Sequence, residues 1–223
     1  MKIRRFNINE KKSNNIKLDN FQKVTVKANS IRPYQNDIYL ERVFSRMVVK
    51  DEERKQILKG NLKDTDIIIS LDNYIVDGHH RWAMAYILNP NCEITCTQIR
   101  FSMKKIIKKL KNISLLYKED KHKKNGKLNI EKILKDDKKQ VIDEIKNIIS
   151  DAIENGFMFN DGISKSNKNW SGLEKFLKKL KNKLDISENI LDYVYKNLKN
   201  LPVSIKNISR KNMPQIKKDY LDS

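Results

Sequence analysis

The sequence predicts an α+β fold: a mixed N-terminal domain followed by an all-helical, basic C-terminal region. Three observations carry this prediction. Short β-type runs and helical runs alternate between 21 and 101, whereas from 102 onward apolar residues recur at helical spacing. The cationic excess also shifts along the chain: residues 1–101 carry a net +6 and residues 102–223 a net +13. The predicted boundaries are a polar arm over 1–20, a mixed domain with a trailing helix over 21–117, and a helical region over 118–223.

The elements follow in order. FQKVTVKANSI (21–31) alternates as a strand does, with Val24 and Val26 on one side and lysines between them. RPYQND is a turn, because Pro33 biases Arg32 away from helix. Asp37 is then placed to cap a helix in which Ile38, Leu40, Val43, Phe44 and Met47 recur at helical spacing. DEERKQILKG (51–60) is a second, shorter helix, with acids crowding its start and Gly60 closing it. Ile67–Ser70 and Tyr74–Val76 read as a hairpin joined by Leu71-Asp72-Asn73. HHRWAMAYIL is helical and stops at NPN (89–91), and CEITCTQIRF (92–101) alternates again.

Beyond this, MKKIIKKLKNISLLYK is an amphipathic basic helix and EDKHKKNGK (119–127) a charged linker. A long helix runs to Gly156 with Ile133, Val141, Ile145, Ile148 and Ile149 on its apolar side. NDGISKSNKN is a loop, and WSGLEKFLKKLKNKL and SENILDYVYKNLKNL are two further helices. Pro202 and Pro214 break the tail.

The 223 residues carry Lys+Arg 47 against Asp+Glu 28, a formal net charge of +19. That balance favours polyanionic partners: nucleic acid, nucleotides or acidic membrane surfaces. Lys, Asn and Ile dominate the composition, as in AT-rich genomes, so solvated surface accounts for part of the lysine. No apolar run approaches the roughly 20 residues of a bilayer span. The N-terminal MKIRRFNINEKK lacks the apolar core of a secretory signal. The expectation is a soluble, cytoplasmic protein with no membrane partner. Cys92 and Cys96 stand four apart in a strand, about 13 Å by strand rise, too far for a disulfide. Buried free thiols are expected.

The chemistry concentrates in DNYIVDGHHRWAMAY (72–86). A strand ends at Val76, Asp77-Gly78 turns the chain, and His79, His80 and Arg81 open a helix. Backbone N–H groups in that first turn have no intrahelical acceptor, and the macrodipole there is positive. Basic side chains oppose the dipole unless an anion shares the site. A phosphate there would receive backbone N–H bonds, a fork from Arg81 and an imidazole donor. The structural alternative is a solvated or carboxylate-paired Arg81 and one purely structural histidine, since adjacent residues diverge by about 100° on a helix. Trp82 and Tyr86 share a face and read as core rather than as base-stacking rings. Adjacent histidines do not match the i, i+4 spacing of helical metal pairs, so no metal site is expected.

VDGHHRWAMA, preceded by DIIISLDNYI, resembles the signature of the ParB/sulfiredoxin-like superfamily. The Asp-Gly-His-His-Arg form is that of ParB-like free serine kinases and of many bacterial and phage proteins; here it is Asp77, Gly78, His79, His80 and Arg81. ANSIRPYQNDIYLERV is similar to the family's first strand and the following helix. The resemblance covers about 20–101. It implies nucleotide phosphates, ATP or CTP with Mg²⁺, held by Gly78, His80 and Arg81. His79 stands where sulfiredoxins keep their catalytic cysteine, so peroxiredoxin repair is not implied. A second ParB nucleotide box and the ParB helix-turn-helix have no evident copy here. The serine kinases take a general base from the first strand–helix segment, where Asp37 and Glu41 lie. Asp77 is similar to their acidic residue beside the phosphates. The resemblance therefore implies catalytic roles among Asp77, His79, Glu41 and Asp37.

Two functions follow. The first is a nucleotide-binding protein, acting as a phosphotransferase or NTP hydrolase, with a basic helical appendage that recruits a partner. The second is a non-catalytic nucleic-acid-binding or virion-associated protein that uses the fold as a scaffold and binds DNA through its basic helices. The oligomeric state is not indicated by the sequence.

Overall fold

The computed structural model describes residues 20–63, 65–110, 135–155, 157–159, 162–164 and 172–203. The predicted arm up to residue 19, the 119–127 linker, Ile133 and Pro214 lie outside the described residues. Strand β1 (Phe21–Lys27) leads through a single 3₁₀ turn (Ala28–Ser30) to β2 (Arg32–Pro33). Helices α1 (Leu40–Val49) and α2 (Asp51–Leu58) follow, then β3 (Asn61–Leu62) and the pair β4 (Ile68–Ser70) and β5 (Tyr74–Asp77). Helix α3 (His79–Leu88), strand β6 (Glu93–Ile99) and helix α4 (Met103–Leu110) complete this part. Helix α5 (Lys138–Asn155), strands β7 (Phe157–Phe159) and β8 (Gly162–Ser164), and helices α6 (Leu173–Leu184) and α7 (Ile190–Lys199) make up the rest.

The main sheet is mixed, in the order β1-β6-β4-β5-β2, with β3 added beside β6. β1 runs antiparallel to β6 with Val24 opposite Cys96 and Val26 opposite Ile94. β4 and β5 form the expected antiparallel hairpin, and Asn73 takes the left-handed conformation (φ 61°) that its turn needs. β4 lies parallel to β6, and β2 parallel to β5. A mixed sheet with helices inserted between strands is the α+β arrangement that the alternation predicted.

One face of the sheet carries the main core. Val43, Phe44 and Met47 of α1 and Trp82, Ala83 and Ile87 of α3 are fully buried with Ile69, Ile75, Ile94 and Cys96. Each of the larger aliphatic and aromatic side chains among them contributes about 1.5–3 kcal/mol by leaving water. Trp82 also donates from Nε1 to the Ala28 carbonyl at 2.8 Å, tying α3 to the end of β1. Trp82 is thus core, as its spacing predicted. The C-terminal helices continue this core: Val141, Ile145 and Ile149 of α5, Phe176 and Leu180 of α6, and Val194 and Leu198 of α7 are buried in it. α7 grips the end of α3, with Asn197 Nδ2 donating to the Ile87 carbonyl (3.0 Å) and Tyr193 Oη to the Leu88 carbonyl (3.1 Å). The opposite face is covered by α4, whose Met103 and Ile106 bury against Ile68, Val76 and Ile99.

Four expectations are corrected. Asp37 does not cap α1: the N-cap is Tyr39, with no side-chain cap bond. Gln35 Nε2 donates to the Asp37 carbonyl (2.6 Å) and the Tyr39 amide is engaged elsewhere, which keeps 35–39 out of the helix. The first strand ends at Lys27, four residues early, because the Ala28 and Asn29 amides turn to the Cys92 and Pro90 carbonyls. The long helix is interrupted at Asp136–Asp137: Lys135 is helical, and the helix resumes at Lys138, where Asp137 Oδ1 accepts the Lys139 amide at 3.3 Å. The C-terminal region is not all helical, since β7 and β8 form an antiparallel ribbon. Phe157-Met158-Phe159 followed by Asn160-Asp161-Gly162 is a strand-and-turn signal that the loop reading passed over.

Candidate functional site

The site forms where β5 hands over to α3. Gly78 is the N-cap of α3 in the left-handed conformation (φ 89°), and no side chain caps the helix. A Cβ at this position would meet Ile67 Cγ1 at 2.9 Å and Ile67 Cα at 3.0 Å. Both the dihedral and the close approach of backbone to backbone require glycine. Asp77 Oδ1 accepts the Gly78 amide at 2.7 Å, which holds the turn. The helix start at His79 and the glycine turn fall where the sequence predicts, while the strand runs one residue further than expected, to Asp77.

The first turn of α3 opens on a pocket of about 250 Å³ lined by Gln35, Arg46 and Asp66, by Val76, and by the run Asp77–Arg81. All five residues of the motif are therefore brought together. Asp37 and Glu41 are not among the lining residues; they sit at the approach to α1 and in its first turn.

The two histidines diverge as adjacent helical residues must, and both reach back to the β2–α1 connection. Buried His79 accepts at Nε2 from the amides of Tyr34 (3.3 Å) and Gln35 (3.4 Å). His80 accepts at Nε2 from the amide of Tyr39 (3.1 Å). An imidazole nitrogen that accepts carries no proton, so each ring is the tautomer protonated at Nδ1. The imidazole donor expected of His80 is thus not presented by Nε2. Both histidines hold the 34–39 segment against the pocket, where the sequence offered one structural histidine as an alternative.

The arginines form a second arrangement. Arg81 Nε lies 3.3 Å from Glu53 Oε1, and its terminal nitrogens lie 3.4 and 3.5 Å from Asp66 Oδ2. Arg46, from α1, places Nη1 2.8 Å from each oxygen of Glu53. One carboxylate from α2 therefore orients two guanidinium groups on the pocket wall. Sequence reasoning missed Arg46 and Glu53. Nothing in the local pattern singles them out: Arg46 shares its helix face with Arg42 and Lys50, and Glu53 is one of three acids in the first turn of α2. Asp66 and Asp77 add two acids to the lining, so the pocket carries mixed charge. Among the described residues, no group of three or more His, Cys, Asp or Glu is arranged to hold a metal ion.

Away from the pocket, Cys92, just before β6, and Cys96, within it, are buried free thiols. Burial pushes Cys92 up to about 11 and Cys96 up to about 12. Neither is a nucleophile at neutral pH.

No protein-family model matches the chain. No curated protein matches it either. Among solved structures, the chain is similar to a Pnob8-like ParB-N domain at 15% identity and a TM-score of 0.27, covering 81% of this chain and 69% of that one. Among the described residues, no helix is long and apolar enough to cross a membrane.

Proposed function

We propose that the pocket at the start of α3 binds the phosphate groups of a nucleotide, and that the chain is a nucleotide-binding protein of ParB/sulfiredoxin-like type. The observation that carries this reading is the convergence of three features on one pocket: a helix start capped only by glycine, Arg81 beside it, and Arg46 from another helix. A helix N-terminus with two guanidinium groups supplies directed N–H donors and positive charge to a phosphate. A volume of about 250 Å³ lies below the roughly 300–1,000 Å³ of sites that enclose a drug-sized ligand. It suits phosphates, with the nucleoside lying across the rim.

Glu53 and Asp66 already partner Arg81, so an incoming phosphate competes with carboxylates for the guanidinium. Mg²⁺ would enter with the phosphates, since this cation commonly uses one or two carboxylates plus phosphate oxygens. Asp66 and Asp77 are the pocket carboxylates suited to it. Phosphoryl transfer asks the protein chiefly for positioning and charge neutralisation. In that chemistry Asp77 would orient the acceptor, a hydroxyl or water, while His79 and His80 hold the wall in place.

The test is calorimetric titration of the chain with ATP, CTP and GTP, with and without Mg²⁺, beside Arg81→Ala. Saturable binding to at least one nucleotide, weakened tenfold or more by the substitution, is the expected result. Failure of all three nucleotides to bind sinks the reading. Bound nucleotide that turns over, followed by phosphate release or transfer to serine, would establish an enzyme.

A further inference from the structure

Helix α4 is built against local preference. Its sequence, MKKIIKKL, holds four lysines and no acid. Two of them, Lys104 and Lys105, fall in the first turn, where the positive end of the macrodipole disfavours cations. Lys104 and Lys108 are also one turn apart, so like charges are neighbours. Burial of Met103 and Ile106 under the helix offsets this cost, and Asp72 Oδ1 caps the start by accepting the Met103 amide at 2.8 Å. Lys104, Lys105 and Lys108 are all exposed.

The same face of the sheet extends this charge. Lys23 and Lys27 of β1 stand exposed at one edge, and Arg32 of β2 stands exposed at the other. Glu93, opposite Lys27 in the ladder, is an acid in this layer, leaving it strongly cationic. Half-buried rings lie among the cations. Phe21, Tyr34, Tyr74 and Phe101 flank the small core beneath α4. Lys105 Nζ lies 4.3 Å from the centre of the Phe101 ring, and Tyr34 meets Tyr74 edge to face at 5.4 Å.

We propose that this layer, α4 together with the edges β1 and β2, binds single-stranded nucleic acid, with the lysines on phosphates and the rings under bases. Cations alone would suit any polyanion. Partly exposed aromatic rings beside them favour unpaired bases, whose faces can stack, over a duplex, whose faces are already stacked. The proposal stands independently of the pocket reading.

The experiment is fluorescence anisotropy of a labelled oligo-dT strand with the full chain across a salt series. Two triple variants are compared: Lys104→Gln/Lys105→Gln/Lys108→Gln on α4, and Lys175→Gln/Lys178→Gln/Lys183→Gln on α6. Both remove the same charge from exposed positions. The α4 variant is expected to lose most of the binding and to flatten the log–log salt slope by about 2, at ~0.7 per phosphate contact. The α6 variant should keep affinity within about threefold, an order-of-magnitude expectation for lysines outside the contact. Phe101→Leu should weaken binding about tenfold with the slope unchanged. Circular dichroism of each variant checks the fold. Equal weakening by the two triple variants, tighter binding to duplex than to the single strand, or no binding at low ionic strength overturns the proposal.

Discussion

His80 and Tyr39 are joined twice: the Tyr39 amide donates to His80 Nε2 at 3.1 Å, and the two rings stack with centroids 5.8 Å apart and planes 10° apart. With His79 on the Tyr34 and Gln35 amides, the histidine pair pins both ends of the segment that precedes α1. His79→Ala and His80→Ala should each cost about 1–3 kcal/mol, because each leaves a backbone donor without its acceptor. His80→Gln, which restores an acceptor oxygen, should cost less than His80→Ala. Amide hydrogen exchange at Tyr34, Gln35 and Tyr39 is the site-specific readout. Exchange there that is unchanged in the alanine variants would refute the role.

Gly78→Ala should destabilise the chain by about 1–3 kcal/mol, through both the positive φ and the contact with Ile67. Trimming the neighbour with Ile67→Ala should not rescue it, since the Ile67 Cα itself lies 3.0 Å from the new methyl. Urea denaturation of the single and double variants decides this. A double variant more stable than Gly78→Ala alone would contradict it.

Glu53→Gln removes the carboxylate that Arg46 and Arg81 share. A stability loss of about 1–3 kcal/mol is expected, with two guanidinium groups left beside one another. Under the nucleotide reading, inorganic phosphate should raise the Tm of this variant more than that of the parent chain. An equal response in both would count against a phosphate at this wall.

The two thiols give a pH prediction. Their folded values of about 11 and 12 lie above the unfolded value of 9, so the neutral form is favoured by the fold. Stability is therefore unaffected by these groups below about pH 9. It falls by up to about 1.4 kcal/mol per pH unit per thiol as pH rises from there towards 11 and 12. At neutral pH a thiol reagent should modify Cys92 and Cys96 only after denaturant is added. Rapid modification of the native chain would contradict their burial.

The C-terminal helices should be indispensable to the N-terminal part. Asn197→Ala strands the buried Ile87 carbonyl and should cost about 1–3 kcal/mol. Truncation before α5 bares the apolar faces of α1 and α3, so the fragment should aggregate or lose cooperative unfolding. A truncated chain that melts cooperatively at the parent Tm would show otherwise.

What the sequence disclosed tracks how local each signal is. The β5–Gly78–α3 junction, the β4–β5 hairpin and the end of α2 at Gly60 were legible because turn chemistry within a few residues determines them. Trp82 was legible as core from its spacing. The start of α1 was not, since His80, 41 residues onward, holds the Tyr39 amide. The same distance in sequence hid the use of both histidines. Arg46 and Glu53 were hidden because a pairing between α1, α2 and α3 leaves no periodic trace. The β7–β8 ribbon was missed through the brevity of its strands, three residues each.

Helix α3 has ten residues, about 15 Å of length, and is held at both ends. The pocket is built on its first turn, and α7 grips its last two carbonyls through Asn197 and Tyr193. The two ends of α3 are thus tied to different parts of the chain, and any shift of His79–Arg81 along the helix axis would have to be met by the Asn197 and Tyr193 hydrogen bonds at its other end.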